Sequence, residues 1–143
     1  MKILPDTSIM VASILKNHIH HARAIRWQQR ILAGEISGTL VAHSLAEIYS
    51  TLTRIPPPDR LSPNVAWEAI GRNLPFFEIA TLTETEVVAV LADLSARNIG
   101  GGQVYDALIA AVARKAEVDI LLTLNAAHFR RVAPDLEEKI KEP

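Results

Sequence analysis

Asp6, Glu47, Asp106 and Asn125 are the residues of this chain whose types and placement best suit chemistry. Asp6 closes the short apolar run Lys2 to Leu4, and Asn125 follows the run Val118 to Thr123. Glu47 lies one turn into a helical pattern that follows the run Gly38 to Ala42, and Asp106 opens the helix after Gly100-Gly101-Gly102. In open parallel α/β sheets, ligands bind in the crevice beyond the carboxyl ends of the strands. Four polar groups are therefore expected to meet along one edge of one sheet. Carboxylates without Cys or His partners offer hard oxygen ligands, which suit Mg²⁺ or Mn²⁺ better than zinc. Such an ion would offset the mutual repulsion that raises the pKa of neighbouring acids.

Each residue also has a purely structural explanation. Asp6 can cap the helix that begins near Ser8. Ser44-Leu45-Ala46-Glu47 has the spacing of a capping box, Asp106 suits the positive end of a helix dipole, and Asn125 is a good N-cap. The coincidence of all four at one sheet edge weighs toward a shared site.

The elements that must place them alternate in type. After the first strand, Ser8 to Leu15 and His20 to Ala33 have helical spacing; Gly38 to Ala42 read as a strand. His43 to Arg54 set Leu45, Ile48, Tyr49 and Leu52 on one helical face. Pro56 to Asp59 break that helix, and Ser62-Pro63 supplies an N-cap and a first-turn proline for the next, through about Arg72. Phe76 to Thr81 form a third strand, and Thr83 with Glu86 make a capping box ahead of Val87, Val90, Leu91 and Leu94. Val104 to Ala116 are helical, Val118 to Thr123 form a fourth strand, and a short helix follows Asn125. Strand and helix in alternation predict a parallel sheet covered on both faces. Pro5 is expected to end the pairing of the first strand.

The totals agree with one domain over residues 1–143, since 49% of the residues are hydrophobic and that is ample for a core. With no cysteine in the chain, disulfides and thiolate zinc sites are excluded, which fits a cytoplasmic setting. No apolar run approaches the roughly 20 residues needed to span a bilayer, and the start lacks the pattern of a secretory signal. A formal net charge of -1 gives no global pull toward nucleic acid, leaving any such contact to local patches.

Three blocks, ILPDTSIMVASI, AHSLAEIYSTLTR and VYDALIAAVARKAEVDILLTLNAAHF, in that order and spacing, resemble the PIN domain, and within it the VapC toxins of VapBC toxin–antitoxin pairs. The resemblance implies a three-layer α/β/α fold with a mostly parallel central sheet of four or five strands. It implies a divalent-metal-dependent endoribonuclease in which Asp6, Glu47 and Asp106 bind Mg²⁺ or Mn²⁺. Asn125 occupies the position of the family's fourth acid, where a neutral amide can ligate or orient a water without adding charge. Thr7, Ser8 and Thr123 are expected to support the acids with hydrogen bonds or else to serve as helix caps and strand ends. A homodimer or larger oligomer and an antitoxin protein are the expected partners, besides RNA. The asparagine also motivates an alternative, a catalytically inactive PIN-fold module that binds RNA or protein. A phosphoacceptor signalling domain ranks last, because it would want paired acids after the first strand and a lysine after a late one.

Other features have plainer readings. His18 and His21 would share a helical face at i, i+3 spacing; with no acids near them in the sequence, metal binding by the cluster His18, His20 and His21 ranks below helix-start capping or exposed surface. Arg23, Arg26 and Arg30 recur at helical spacing, a basic face that is solvated or meets RNA phosphate or an acidic partner. Trp27 and Trp67 read as core or interface residues, and Gly100 to Gly102 as a flexible connection to Asp106.

Overall fold

Ile3 and Leu4 are both fully buried, and they pack into two different clusters on opposite faces of the same strand. A central strand of a parallel sheet must do this, because helices cover it on both sides. The structure, a computed structural model, describes every residue from Met1 to Pro143. Its five strands are β1 (Lys2–Pro5), β2 (Ser37–Val41), β3 (Phe77–Ala80), β4 (Ile120–Leu122) and β5 (Ile140–Lys141). They form one sheet in the order β3-β2-β1-β4-β5, and every pairing is parallel. The chain winds outward from β1 to β3, then returns to place β4 on the other side of β1. That reversal makes the β1/β4 boundary the topological switch point, where a crevice opens.

Four helices cover one face: α1 (Thr7–Ile14), α2 (His21–Leu32), α3 (Ala42–Arg54) and α4 (Pro63–Asn73). Ile9, Met10, Ala24, Ile31, Ile48, Leu52 and Ile70 bury themselves there against Ile3, Leu40 and Leu122. The other face is covered by α5 (Glu84–Ala96), α6 (Gln103–Lys115) and α7 (Ala126–Val132). Leu94, Ala110, Val112 and Phe129 meet Leu4, Val41 and Leu121 on that side. The three-layer α/β/α expectation is thus met, with the sheet wholly rather than mostly parallel.

The local signals explain most boundaries. Ser62 caps α4 with Pro63 in its first turn, and Thr83 and Glu86 close the capping box of α5. Three expectations need correction. Pro5 does not end the pairing, for it stays in the ladder opposite Leu122. Tyr49 and Leu91 are 39% and 47% exposed, because the buried stripes of their helices turn past them and leave both on the flanks. Of the two tryptophans read as core or interface residues, Trp27 packs against the core, whereas Trp67 is exposed, which leaves only the interface reading for it.

Gly38 shows how closely the first face is packed. A Cβ there would stand 2.7 Å from two ring atoms of Phe77 and 3.0 Å from Ile31 Cγ2. Gly38→Val is expected to destabilise the fold by about 1–3 kcal/mol through overpacking, read from the midpoint of a urea titration. An unchanged midpoint would mean that the Phe77 ring swings aside freely.

Candidate active site

Asp6 follows β1 directly and is 4% exposed. Every polar contact around it is defined. One carboxylate oxygen accepts from the Ser8 hydroxyl at 2.6 Å and the Ile9 amide at 3.0 Å, and the other accepts from the Thr123 hydroxyl at 2.6 Å. The two hydroxyls are tied in turn to the loop after β4. Ser8 Oγ accepts from the Leu124 amide at 3.0 Å, and Thr123 Oγ1 accepts from the Asn125 amide at 2.9 Å. Asp6 therefore does cap α1, and it is also clamped across the switch point. Burial raises its pKa, while the Ser8, Thr123 and Ile9 hydrogen bonds pull the other way.

Glu47 reaches the same crevice from α3. The capping-box explanation for it fails, because α3 begins at Ala42 and is preceded by Val41, so Glu47 lies beyond the third helical position. Ser44 Oγ is buried without a hydrogen-bond partner, as is Glu47 Oε1. His43 Nε2 lies 3.3 Å from Glu47 Oε1, but makes no hydrogen bond to it. Burial also lowers the His43 pKa, so the ring brings no cation to the acid near neutral pH. Thr7 stands close enough to favour the charged form of Glu47 slightly, yet its hydroxyl closes no hydrogen bond. Burial, then the charges of Asp106 and Asp6, raise the Glu47 pKa.

Asp106 sits in the first turn of α6. Its carboxyl is pushed up to about 6, first by burial and then by the charge of Asp6, with His128 opposing. His128 Nδ1 is 3.9 Å from Asp106 Oδ2. Asn125 is exposed and occupies the N-cap position of α7, but its side chain makes no capping bond. The amide is therefore uncommitted.

Asp6, Glu47, Asp106 and Asn125 all line one cleft of about 340 Å³, together with Thr7, Ser8, Val11, His18, Thr51 and Ile109. No Lys or Arg is among them. His18 lines the cleft although its sequence context points to a helix cap or exposed surface. It lies in the turn before α2 rather than in the helix, so it shares no helical face with His21, and the turn carries it to the cleft. Its Nδ1 accepts from the His20 amide at 3.1 Å, so the neutral ring carries its proton on Nε2. His128 was likewise missed as a neighbour of Asp106, although it belongs to the LNAAHF block.

The donor set fits a hard divalent cation. It consists of carboxylate, hydroxyl and amide oxygens, it includes a buried Glu47 oxygen with no partner, and the charge of Asp6 raises the pKa of both Glu47 and Asp106. No three of the acid or histidine side chains are already gathered closely enough to grip an ion as they stand.

The family model for the PIN domain matches residues 3–134. The chain belongs to the PIN domain family. Among curated proteins, this PIN domain is 34% identical over 119 residues to Ribonuclease VapC40 of Mycobacterium tuberculosis, covering 83% of this chain and 84% of that one. It is 32% identical over 117 residues to Ribonuclease VapC27 of the same organism, covering 80% and 79%. Among solved structures, VapBC2 from Rickettsia felis bound to a promoter DNA fragment superposes with a TM-score of 0.68 at 18% identity, covering 100% and 99%. The last of these bears on the fold, and the first two place the PIN domain beside VapC proteins.

Proposed function

We propose that this PIN domain is a divalent-metal-dependent endoribonuclease that hydrolyses RNA phosphodiester bonds and acts as the toxin of a toxin–antitoxin pair. The observation that carries the reading is the gathering of Asp6, Glu47 and Asp106 from three separate elements into one cleft that contains no Lys or Arg. Both curated relatives bear the name ribonuclease, which supplies the substrate class. Mg²⁺ or Mn²⁺ would be held by these three acids, and when bound it lowers the pKa of a water and offsets charge on phosphoryl oxygens.

The protein's own groups have distinct tasks. Ser8 and Thr123 fix the direction of the Asp6 carboxylate. Glu47 and Asp106 supply the remaining negative charge, and their repulsion is what cation binding relieves. The Asn125 amide stands at the rim, able to orient a water or a phosphoryl oxygen without adding charge. The imidazole of His18, which also lines the cleft, offers an N–H donor to the substrate. An antitoxin that covers the cleft, and assembly as a homodimer or larger oligomer, belong to the same reading. No helix is long and apolar enough to cross a membrane.

Purified wild type and Asp106→Asn, incubated with structured RNAs and Mg²⁺, Mn²⁺ or EDTA, test this. Cleavage should need the metal and vanish in the variant. Equal cleavage by both proteins would expose a contaminating nuclease and end the assignment. Metal-dependent RNA binding without cleavage would leave the inactive module instead. Asn125→Asp adds a charge at the rim and should tighten Mn²⁺ binding by about 1 kcal/mol, roughly fivefold, by titration calorimetry. An unaltered affinity would show that this side chain does not face the ion.

A further inference from the structure

A second groove, of about 550 Å³, adjoins the acidic cleft. Glu47 and Thr51 line both, so the two are continuous. One wall is a single stripe of α3, running from His43 through Glu47, Ser50 and Thr51 to Arg54. The other is Tyr105, the residue before Asp106 in α6. Tyr105 is 52% exposed, and its ring stands against that of His43, with centroids 6.4 Å apart and planes tilted by 45°. Arg54 is exposed, engages in no ion pair, and is the only Arg or Lys along the groove. It lies seven positions after Glu47, about 10 Å further along the helix axis.

We propose that this groove binds the nucleotide next to the scissile phosphate, whose base stacks on Tyr105 while the following phosphate pairs with Arg54. The inference rests on the ribonuclease reading and extends it to a substrate subsite. An aromatic face with one open side accepts any base, since every base has a π-face. Acids in the adjoining cleft repel a polyanion, and a free guanidinium beyond them supplies the attraction that they lack. Ser50 and Thr51 hydroxyls between the two suit ribose or base edges. Of the residues along the groove only Ala46 lacks a polar side-chain group, which favours a nucleotide over an apolar protein segment. His43 acts as a positioning residue by backing the Tyr105 ring.

The test begins by mapping the cleavage site in a mixed-sequence single-stranded RNA. Versions with an abasic nucleotide on either side of that site are then compared. Tyr105→Ala should lower kcat/KM on the intact RNA by about fivefold to a hundredfold, chiefly through KM. Tyr105→Phe should retain activity, and Tyr105→Ala should cost nothing further on one of the abasic RNAs. Mn²⁺ affinity of Tyr105→Ala should equal that of wild type, which separates a lost platform from a displaced Asp106. Arg54→Ala should weaken all RNAs alike and reduce the salt dependence of binding by about one charge. Equal losses on intact and both abasic RNAs would overturn the stacking role. Full activity in Tyr105→Ala and Arg54→Ala would hand the groove to another occupant, such as a protein partner. If wild type cleaves no RNA, fluorescence anisotropy with the labelled RNA decides. Binding lost in Tyr105→Ala would keep the subsite while the hydrolase reading falls, and no binding by wild type would end both.

Discussion

Asp106→Asn should melt at a higher temperature than wild type in EDTA at about pH 8, although it should lose the proposed RNA cleavage. The cause is the charge that the folded state must tolerate there. The carboxyl is held at about 6 against an ordinary 3.8, chiefly by burial and secondarily by Asp6. For an acid whose pKa rises on folding, stability is full below the unfolded value and is lost as pH climbs through the folded one. The loss falls between about pH 4 and pH 6 and is complete above that range. The full difference corresponds to about 3 kcal/mol, and solvent at a side chain that is 24% exposed reduces this to about 1–2 kcal/mol. An uncharged isostere escapes the penalty, so the variant should gain roughly 3–6 °C. The gain should shrink as the scan is repeated toward about pH 4. Adding Mn²⁺ should reverse the order, because only wild type gains stability from a bound ion. If the variant melts lower than wild type at every pH, Asp106 is a structural residue and the charge argument is wrong.

Thr123→Val should damage the site without touching an acid. The hydroxyl is buried, donates to Asp6 and accepts from the Asn125 amide. Valine keeps the shape but leaves a buried carboxylate oxygen and an amide each short of one partner, a cost of about 1–3 kcal/mol. Asp6 loses one of the hydrogen bonds that favour its charged form. Metal affinity should fall by about tenfold to a hundredfold, as is usual when an outer partner of a ligand is removed. Urea titration and Mn²⁺ calorimetry read the two effects separately. Thr123→Ser, which keeps the hydroxyl, should restore most of the affinity; failure to do so would shift the blame to packing at the end of β4.

The fold was legible because its signals were local and repeated. Strand and helix alternate, and the caps at Ser62 and Thr83 lie where their residue types place them. β5 had no such signal: two residues paired on one side only cannot announce themselves by periodicity. The site was legible where an acid follows a strand, as at Asp6. At Glu47 a local pattern misled, because Ser44 and Glu47 have capping-box spacing while α3 starts at Ala42. The boundary falls where β2 ends, because Val41 passes directly from the strand to the N-cap of α3 with no side-chain cap to mark it. His18 was missed for a related reason. Nothing in KNHIHHARA reveals that its turn folds back toward acids contributed by the end of β1, α3 and α6.

The clamp on Asp6 also constrains how the protein comes into being. Its hydroxyl and amide partners at Thr123, Leu124 and Asn125 lie more than a hundred residues later in the chain, as does β4, the neighbour on which β1 depends at the switch point. A nascent chain still threaded through the ribosome at its middle already carries Asp6 and Glu47, but has neither Asp106 nor the strand that orients the first acid. Completion of the cleft waits for nearly full synthesis, since its decisive contacts are the most distant in sequence. A site assembled in this order is incomplete until the last elements of the chain have emerged.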